Sequence, residues 1–176
     1  VGNVILGLLL LSPMTVYELN KQFEAGISLF YSASLGSIRT AVLSLLAKGL
    51  VTVDETVDNG RSKKTYSITA EGRAAFSEWM LQPITASDLE TAALAKLYFL
   101  GLMGKKERIT VLEAILARIA ADEQQLEHTA VQLDSMQLPP EYTEIFRYQR
   151  NTLDYGLQAH RGGREFFESL LRSENQ

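Results

Sequence analysis

The sequence has no cysteine, two histidines and one tryptophan among its 176 residues. The missing cysteine excludes disulfides, thiolate zinc sites and thiol nucleophiles, and it fits a reducing compartment. His128 and His160 stand 32 positions apart, which leaves little for a histidine-based metal or acid–base site. There is no Gly-rich phosphate loop, no internal repeat and no low-complexity tract. Nor is there an apolar run of the roughly 20 residues that a membrane helix needs. The apolar stretch Val4–Leu11 has eight residues. No basic residue precedes it, and Ser12-Pro13-Met14-Thr15 follows it instead of a small-x-small pattern, so a short buried helix is expected rather than an export signal. Positive charge is not in excess either: 17 Lys+Arg stand against 21 Asp+Glu, a net charge of −4. Such a balance ordinarily argues against a nucleic-acid partner.

What is present is an ordinary globular composition, 46% hydrophobic and 22% charged, long enough for one domain or two small ones. The chain changes character near Pro83. Before it the segments are short and mixed; after it the chain is almost continuously helix-forming, broken at Gly101-Leu102-Met103-Gly104 and at Pro139-Pro140. The expected division is 1–82 and 83–176.

In the first half, Val4–Leu11 reads as a helix stopped by Ser12-Pro13. Thr15 and Glu18 form a capping box for a second helix over Thr15–Phe23, with Val16, Leu19 and Phe23 as its apolar stripe. Ser34 caps a third helix that runs to Lys48 and ends at Gly49. On it Leu35, Ile38, Val42, Leu45 and Leu46 fall on one side, Ser37, Thr40, Ser44 and Ala47 on the other, with Arg39 on the flank. Leu50–Val57 and Lys64–Thr69 read as strands around Asn59-Gly60, a strong hairpin signal. A fourth helix starts after Thr69. Helix, helix, helix, hairpin, helix is the order of a winged helix-turn-helix. The fold class expected is mainly α (α+β): a winged helix-turn-helix domain followed by a long-helix C-terminal dimerisation domain.

A helix-turn-helix lays its second helix in the major groove, with residues near that helix's N-terminus reaching base edges. Here that helix presents Ser34, Ser37 and Thr40, small enough for close approach, and Arg39, which can hold a guanine through two hydrogen bonds. A solvated helix face would look the same by composition. The hairpin tip adds Arg61, Lys63 and Lys64 with no acid between residues 59 and 64, suited to a phosphate backbone. Residues 1–82 hold seven basic and seven acidic residues, and residues 83–176 hold ten and fourteen, so the whole −4 belongs to the second half.

These residues resemble the PadR family of winged-helix transcriptional regulators over residues 4–82. The resemblance is carried by Tyr17-Glu18-Leu19, Gly36-Ser37-Ile38, Lys48-Gly49-Leu50 and Tyr66-Ser67-Ile68-Thr69-Ala70-Glu71-Gly72. The second half resembles the helical domain of the longer branch, shared with virulence activators, through Leu153-Asp154-Tyr155-Gly156-Leu157 and Phe166-Phe167-Glu168. The resemblance implies a cytoplasmic homodimer that binds double-stranded operator DNA and usually represses transcription, in some members relieved by phenolic acids or hydrophobic drugs. It also adds Tyr17 to the DNA-contacting set. Two departures matter: Arg39 and Thr40 replace the family's usual Tyr-Pro, and Val16 replaces a usual Gly. The first lies on the reading helix and makes Arg39 the expected specificity residue.

Beyond Pro83, Ile109, Leu112, Leu116, Ile119, Glu123, Leu126, Ala130 and Leu133 are spaced as a coiled-coil seam. Tyr142, Phe146, Gln149, Leu153, Gly156, His160, Gly163 and Phe167 repeat the pattern, which predicts an antiparallel pair joined at Pro139-Pro140. Pairing with a second copy is its natural use; an intramolecular hairpin is the plainer one. Glu123, Gln149 and His160 interrupt the seams. Each reads as a paired buried group that fixes register; the sharper alternative is a pocket for a small aromatic or hydrophobic effector formed by Tyr17, Trp79, Tyr98, Gln149, Tyr155 and His160. His128, with Glu127, Glu123 and Gln124, could bind a metal, but a solvated face is the simpler reading because no second ligand cluster is visible. No catalytic residues, cofactor, metal or membrane partner are expected, and the chain is not read as an enzyme. The rival to DNA binding is a winged-helix protein–protein interaction scaffold without sequence-specific DNA binding.

Overall fold

The computed structural model of the chain describes residues 1–58, 61–85, 88–137 and 139–176, the side chains of Leu29, Asp58 and Arg61 excepted. It contains α1 (Gly2–Leu11), α2 (Val16–Ala25), α3 (Leu35–Ala47), strands β1 (Val51–Asp58) and β2 (Arg61–Ile68), α4 (Ala70–Leu81), α5 (Leu89–Phe99), α6 (Lys105–Asp134) and α7 (Thr143–Glu174). Single 3-10 turns occupy Ile27–Leu29, Leu100–Leu102 and Pro140–Tyr142. The fold is mainly α with a winged helix-turn-helix. It divides into two compact units, residues 1–82 with 90–103, and residues 83–89 with 104–176.

In the first unit the local signals act as the sequence suggests. Thr15 Oγ1 accepts from Glu18 N at 3.2 Å while Glu18 Oε2 accepts from Thr15 N at 2.8 Å, a complete capping box. Gly49 takes φ +71°, and two backbone bonds, Gly49 N to Leu46 O and Leu50 N to Leu45 O, both 3.0 Å, close α3 as a Schellman motif. Thr69 Oγ1 caps α4 by accepting from Gly72 N at 3.0 Å. A Cβ on Gly72 would lie 2.0 Å from the Leu50 carbonyl oxygen, so only glycine lets α4 start this close to the α3 exit. β1 and β2 pair antiparallel from Val51↔Ile68 to Asp58↔Arg61, and Met14 adds a bridge to Tyr66. β2 begins three residues earlier than the sequence pattern suggests. The Asn59-Gly60 turn itself lies outside the described residues.

Helix α1 has no polar face because it is buried on nearly all sides: Val4, Ile5, Leu6, Leu8 and Leu9 are core residues. Phe99 of α5 covers Gly7, where a Cβ would lie 2.7–2.8 Å from its ring. That close approach brings residues 90–103 into the first unit, whereas the sequence places them beyond the break at Pro83.

In the second unit α6 and α7 form an antiparallel hairpin. Leu112, Ile115 and Ile119 of α6 and Leu157 and Phe167 of α7 are buried. Cross-helix ion pairs run along it: Arg108–Glu174 at 2.7 Å, Arg164–Glu123 at 3.3 Å, Arg161–Glu127 at 3.3 Å and Arg150–Asp134 at 2.9 Å. Glu123 is the seam acid, and Arg164 neutralises it. Gln149, expected on the seam, is exposed instead. A Cβ on Gly156 or Gly163 would make ordinary contacts at 3.5 and 3.9 Å, so these glycines are not demanded by a close crossing. α7 leaves a second stripe uncovered, Ile145, Tyr148, Thr152, Tyr155, Ala159, Gly162 and Phe166, spaced 3-4-3-4-3-4 and free of charge. Among the described residues no helix is long and apolar enough to cross a membrane.

Candidate nucleic-acid interface

The start of α3 is built by its two serines. Ser34 Oγ accepts from Ser37 N at 3.1 Å, and Ser37 Oγ donates to the Ser34 carbonyl at 2.8 Å. Ser34 is exposed and Ser37 half-buried. The helix therefore uses both hydroxyls to order itself, and Ser37's donor is already engaged. Ile38, Val42 and Leu45 face the core. Arg39, Thr40 and Ser44 are exposed, as are Leu43 and Leu35. Leu35 corrects the sequence reading, which put it on the apolar side: it lies in the first turn, N-terminal to Ile38, the first core position, and remains 52% exposed. No acidic residue occurs in α3.

The strand register sorts the wing's charges. Lys64 stands opposite Glu55, and its Nζ lies 3.4 Å from Glu55 Oε2; the same carboxylate accepts from Ser62 Oγ. These bonds hold the Glu55 carboxyl below its ordinary range, the Ser62 hydrogen bond first and Lys64 second. Lys63 stands opposite Thr56, with no acid across from it. The tip is thus less positive than residues 59–64 alone suggest, because the acids come from the partner strand. Arg61 pairs by backbone with Asp58, and its side chain lies outside the described residues. Tyr17 projects from α2, 64% exposed, with Lys21 Nζ 4.8 Å above its ring.

The six residues proposed for an effector fall into two groups. In the first unit Trp79 and Tyr98 belong to one aromatic run that ends at Phe30: Trp79 to Phe76 at 5.7 Å, Phe76 to Phe99 at 5.8 Å, Phe99 to Tyr98 at 4.9 Å and Tyr98 to Phe30 at 5.8 Å between ring centroids. Tyr17 has no ring partner in that run. In the second unit Gln149 and Tyr155 are exposed, while His160 is half-buried against α6. His160 Nδ1 lies 2.8 Å from the Gly156 carbonyl, and its Nε2 lies 3.8 Å from Asp122 Oδ2. Asp122 also accepts from Arg118, whose Nη1 donates to the Ile84 carbonyl at 2.9 Å.

Sequence reasoning missed Lys96. It is buried, and its ammonium donates to the carbonyls of Met80, at 3.0 Å, and Gln82, with the Trp79 ring 5.9 Å away. A cation on the last carbonyls of α4 satisfies groups the helix leaves open and sits at the negative end of its dipole. Nothing in its local pattern marks it. Among the described residues no group of three or more His, Asp or Glu converges as a metal site.

Residues 5–78 match the transcriptional regulator PadR-like family. The negative transcriptional regulator PadR of Bacillus subtilis (strain 168) is 26% identical over 106 residues, 58% of this chain and 58% of that protein. Among solved structures, Bacillus subtilis PadR in complex with operator DNA is similar with a TM-score of 0.46 and 23% identity, covering 98% of each chain. The Vibrio cholerae virulence activator AphA is similar with a TM-score of 0.41 and 23% identity, covering 99% of this chain and 97% of its own.

Proposed function

We propose that the chain, whose residues 5–78 match the PadR-like family of transcriptional regulators, is a homodimeric repressor. It reads an operator with Ser34, Arg39 and Thr40 of α3, steadied by Tyr17 and by the wing residues Arg61, Lys63 and Lys64. The observation that carries this reading is the exposed face of α3. That face bears Arg39 and no acid, in the same compact unit as a wing whose Lys63 stands opposite Thr56 in the strand register. The chain acts by binding rather than catalysis, in the cytoplasm, without cofactor or metal.

The uncovered stripe of α7 supports the dimer. Seven uncharged positions with coiled-coil spacing, including Tyr148, Tyr155 and Phe166, would bury against the same stripe of a second copy. Tyr155→Glu is expected to convert dimer to monomer in light scattering. The aromatic run supports an effector that is itself aromatic and hydrophobic. Trp79, the sole tryptophan, reports on it: hydroxylated aromatic acids are expected to quench its emission and to release the protein from DNA.

The decisive test is anisotropy titration of the full chain with DNA upstream of its own gene at increasing salt. A regulator that neutralises several phosphates loses affinity by orders of magnitude between about 50 and 200 mM salt. Lys63→Ala should lower the salt slope by about one, and Lys64→Ala by less, because Glu55 already holds it. Arg39→Ala should flatten preference among sequences. DNA binding without salt dependence, or none at all, would leave the protein-scaffold reading instead.

A further inference from the structure

We propose that Leu35 is a specificity-determining residue, packing on the 5-methyl group of an operator thymine about two base steps from a guanine held by Arg39. The inference rests on the DNA-binding reading above and assigns chemistry to a residue that the polar inventory of α3 leaves out.

Three observations converge on the first turn of α3. Leu35 is 52% exposed although its neighbours on the apolar stripe, Ile38 and Val42, are fully buried, so the core does not require a leucine there. Gly36 follows it, with no positive φ; a Cβ there would meet only Ser34 Oγ at 3.8 Å, an ordinary contact. Neither backbone conformation nor packing asks for glycine, which lowers helix stability relative to alanine. Its use lies outside the chain: without a side chain at Gly36, the helix start can come closer to a surface that Leu35 touches. Third, the flanking serines are turned into the helix cap, and Ser37's hydroxyl proton is already donated. The first-turn group left facing outward without a task in the fold is the isobutyl side chain.

In the major groove, thymine alone among the four bases offers a methyl, and apolar side chains recognise it. Recognition helices read with their N-terminal residues. Leu35 and Arg39 are one helical turn apart, rotated by about 40° and separated by about 6 Å along the axis. DNA rises about 3.4 Å per base step, so the two side chains reach bases roughly two steps apart. Helix α3 itself carries no acidic residue to oppose DNA.

The test uses the full chain, an operator selected from random duplex DNA, and single replacements of each thymine by deoxyuridine, which removes only the methyl. One thymine per half-site should weaken wild-type binding about fourfold when its methyl is removed, equivalent to about 0.8 kcal/mol. Leu35→Ala should bind the thymine operator about fourfold more weakly and no longer distinguish thymine from deoxyuridine at that position, with its salt slope and melting temperature unchanged. Leu35→Met, which keeps an apolar tip, should retain the distinction. The proposal fails if Leu35→Ala discriminates as wild type does, or if no methyl matters while salt-dependent binding persists. If selection with wild type yields no salt-dependent DNA binding, the DNA-binding reading itself falls, and the two failures are told apart by the wild-type titration alone.

Discussion

Replacing Lys96 by methionine tests how the first unit closes the end of α4. The ammonium is buried, and its hydrogen bonds run to the carbonyls of Met80 and Gln82, the last of the α4 region. Methionine keeps the volume of the stem and removes the donor. Each hydrogen bond from a charged donor contributes about 1.5–3 kcal/mol, and a buried carbonyl left open costs about as much. Removing a buried cation also relieves a desolvation cost of several kcal/mol, so the two terms oppose. With both carbonyls left unpaired and the Trp79 face losing its cation, a net loss on the order of 2 kcal/mol is expected at neutral pH. Lys96→Ala should lose roughly 2 kcal/mol more, for about three buried methylenes. Urea unfolding followed by the fluorescence of Trp79 gives the midpoint shift at constant slope. pH supplies an independent check. Burial lowers the Lys96 pKa below its usual value. Between the folded value and the ordinary lysine range the unfolded chain binds more protons, so wild-type stability rises with pH through that window. The gap between wild type and Lys96→Met should therefore widen as pH rises towards the ordinary lysine pKa. A methionine variant as stable as wild type at neutral pH would refute the capping argument and show that burying the charge outweighs its bonds.

Gly72→Ala should destabilise the first unit by more than about 3 kcal/mol in thermal or urea unfolding, because its Cβ would meet the Leu50 carbonyl at 2.0 Å and backbone must move. Thr15→Ala should cost about 1 kcal/mol. Because the Thr15 backbone and hydroxyl hydrogen bonds lower the Glu18 pKa, the box stabilises above the ordinary glutamate range, and the gap to Thr15→Ala should narrow as pH falls through the folded value. Gly36→Ala should raise the melting temperature, by up to about 1 kcal/mol of helix stability, while weakening operator binding in anisotropy titrations; a variant that gains stability and binds DNA as before would show that the glycine does not serve close approach.

The parts of the fold legible in the sequence are those set by neighbours in the chain. Thr15 with Glu18, Ser34 with Ser37, Gly49 after Lys48, and Thr69 with Gly72 each fix an element end through bonds spanning a few residues, and all four form. What local pattern does not determine is which face a neighbouring element covers. Leu35 shares a stripe with Val42 at helical spacing, yet the stripe is covered only from Ile38 onward. Lys64 sits in a basic run, yet the register delivers Glu55 to it from the other strand. Lys96 reads as a surface lysine and is buried because its partners are carbonyls, which carry no sequence signature. Residues 90–103 follow Pro83 in the chain and join the first unit because Phe99 fits where Gly7 has no side chain.

Helix α7 shows the same limit in a form that bears on assembly. Its sequence holds two interleaved stripes with 3-4 spacing. The stripe through Tyr142, Phe146, Gln149, Leu153, Gly156, His160, Gly163 and Phe167 is the expected seam; Tyr142 and Gln149 are exposed, and the positions from Leu153 onward are the ones covered. The other, through Ile145, Tyr148, Tyr155 and Phe166, is equally regular and holds the larger aromatic surface, but it faces solvent in the single chain. A hairpin can cover one stripe of a helix only. Exposed tyrosine and phenylalanine concentrated on one charge-free line are costly in water and rare without a use. The polar positions divide accordingly: Glu123 and His160 lie within the hairpin, where Arg164 and Asp122 meet them, whereas Gln149 lies outside it. The covered stripe therefore uses paired polar groups to fix register within one chain. The open stripe has no charged group to fix a partner, so its specificity must come largely from the shape of Thr152, Ala159 and Gly162 between the aromatic rings. Replacing Ala159 by a bulky residue should then weaken self-association as strongly as the charge introduced at Tyr155, although Ala159 contributes almost no apolar area of its own.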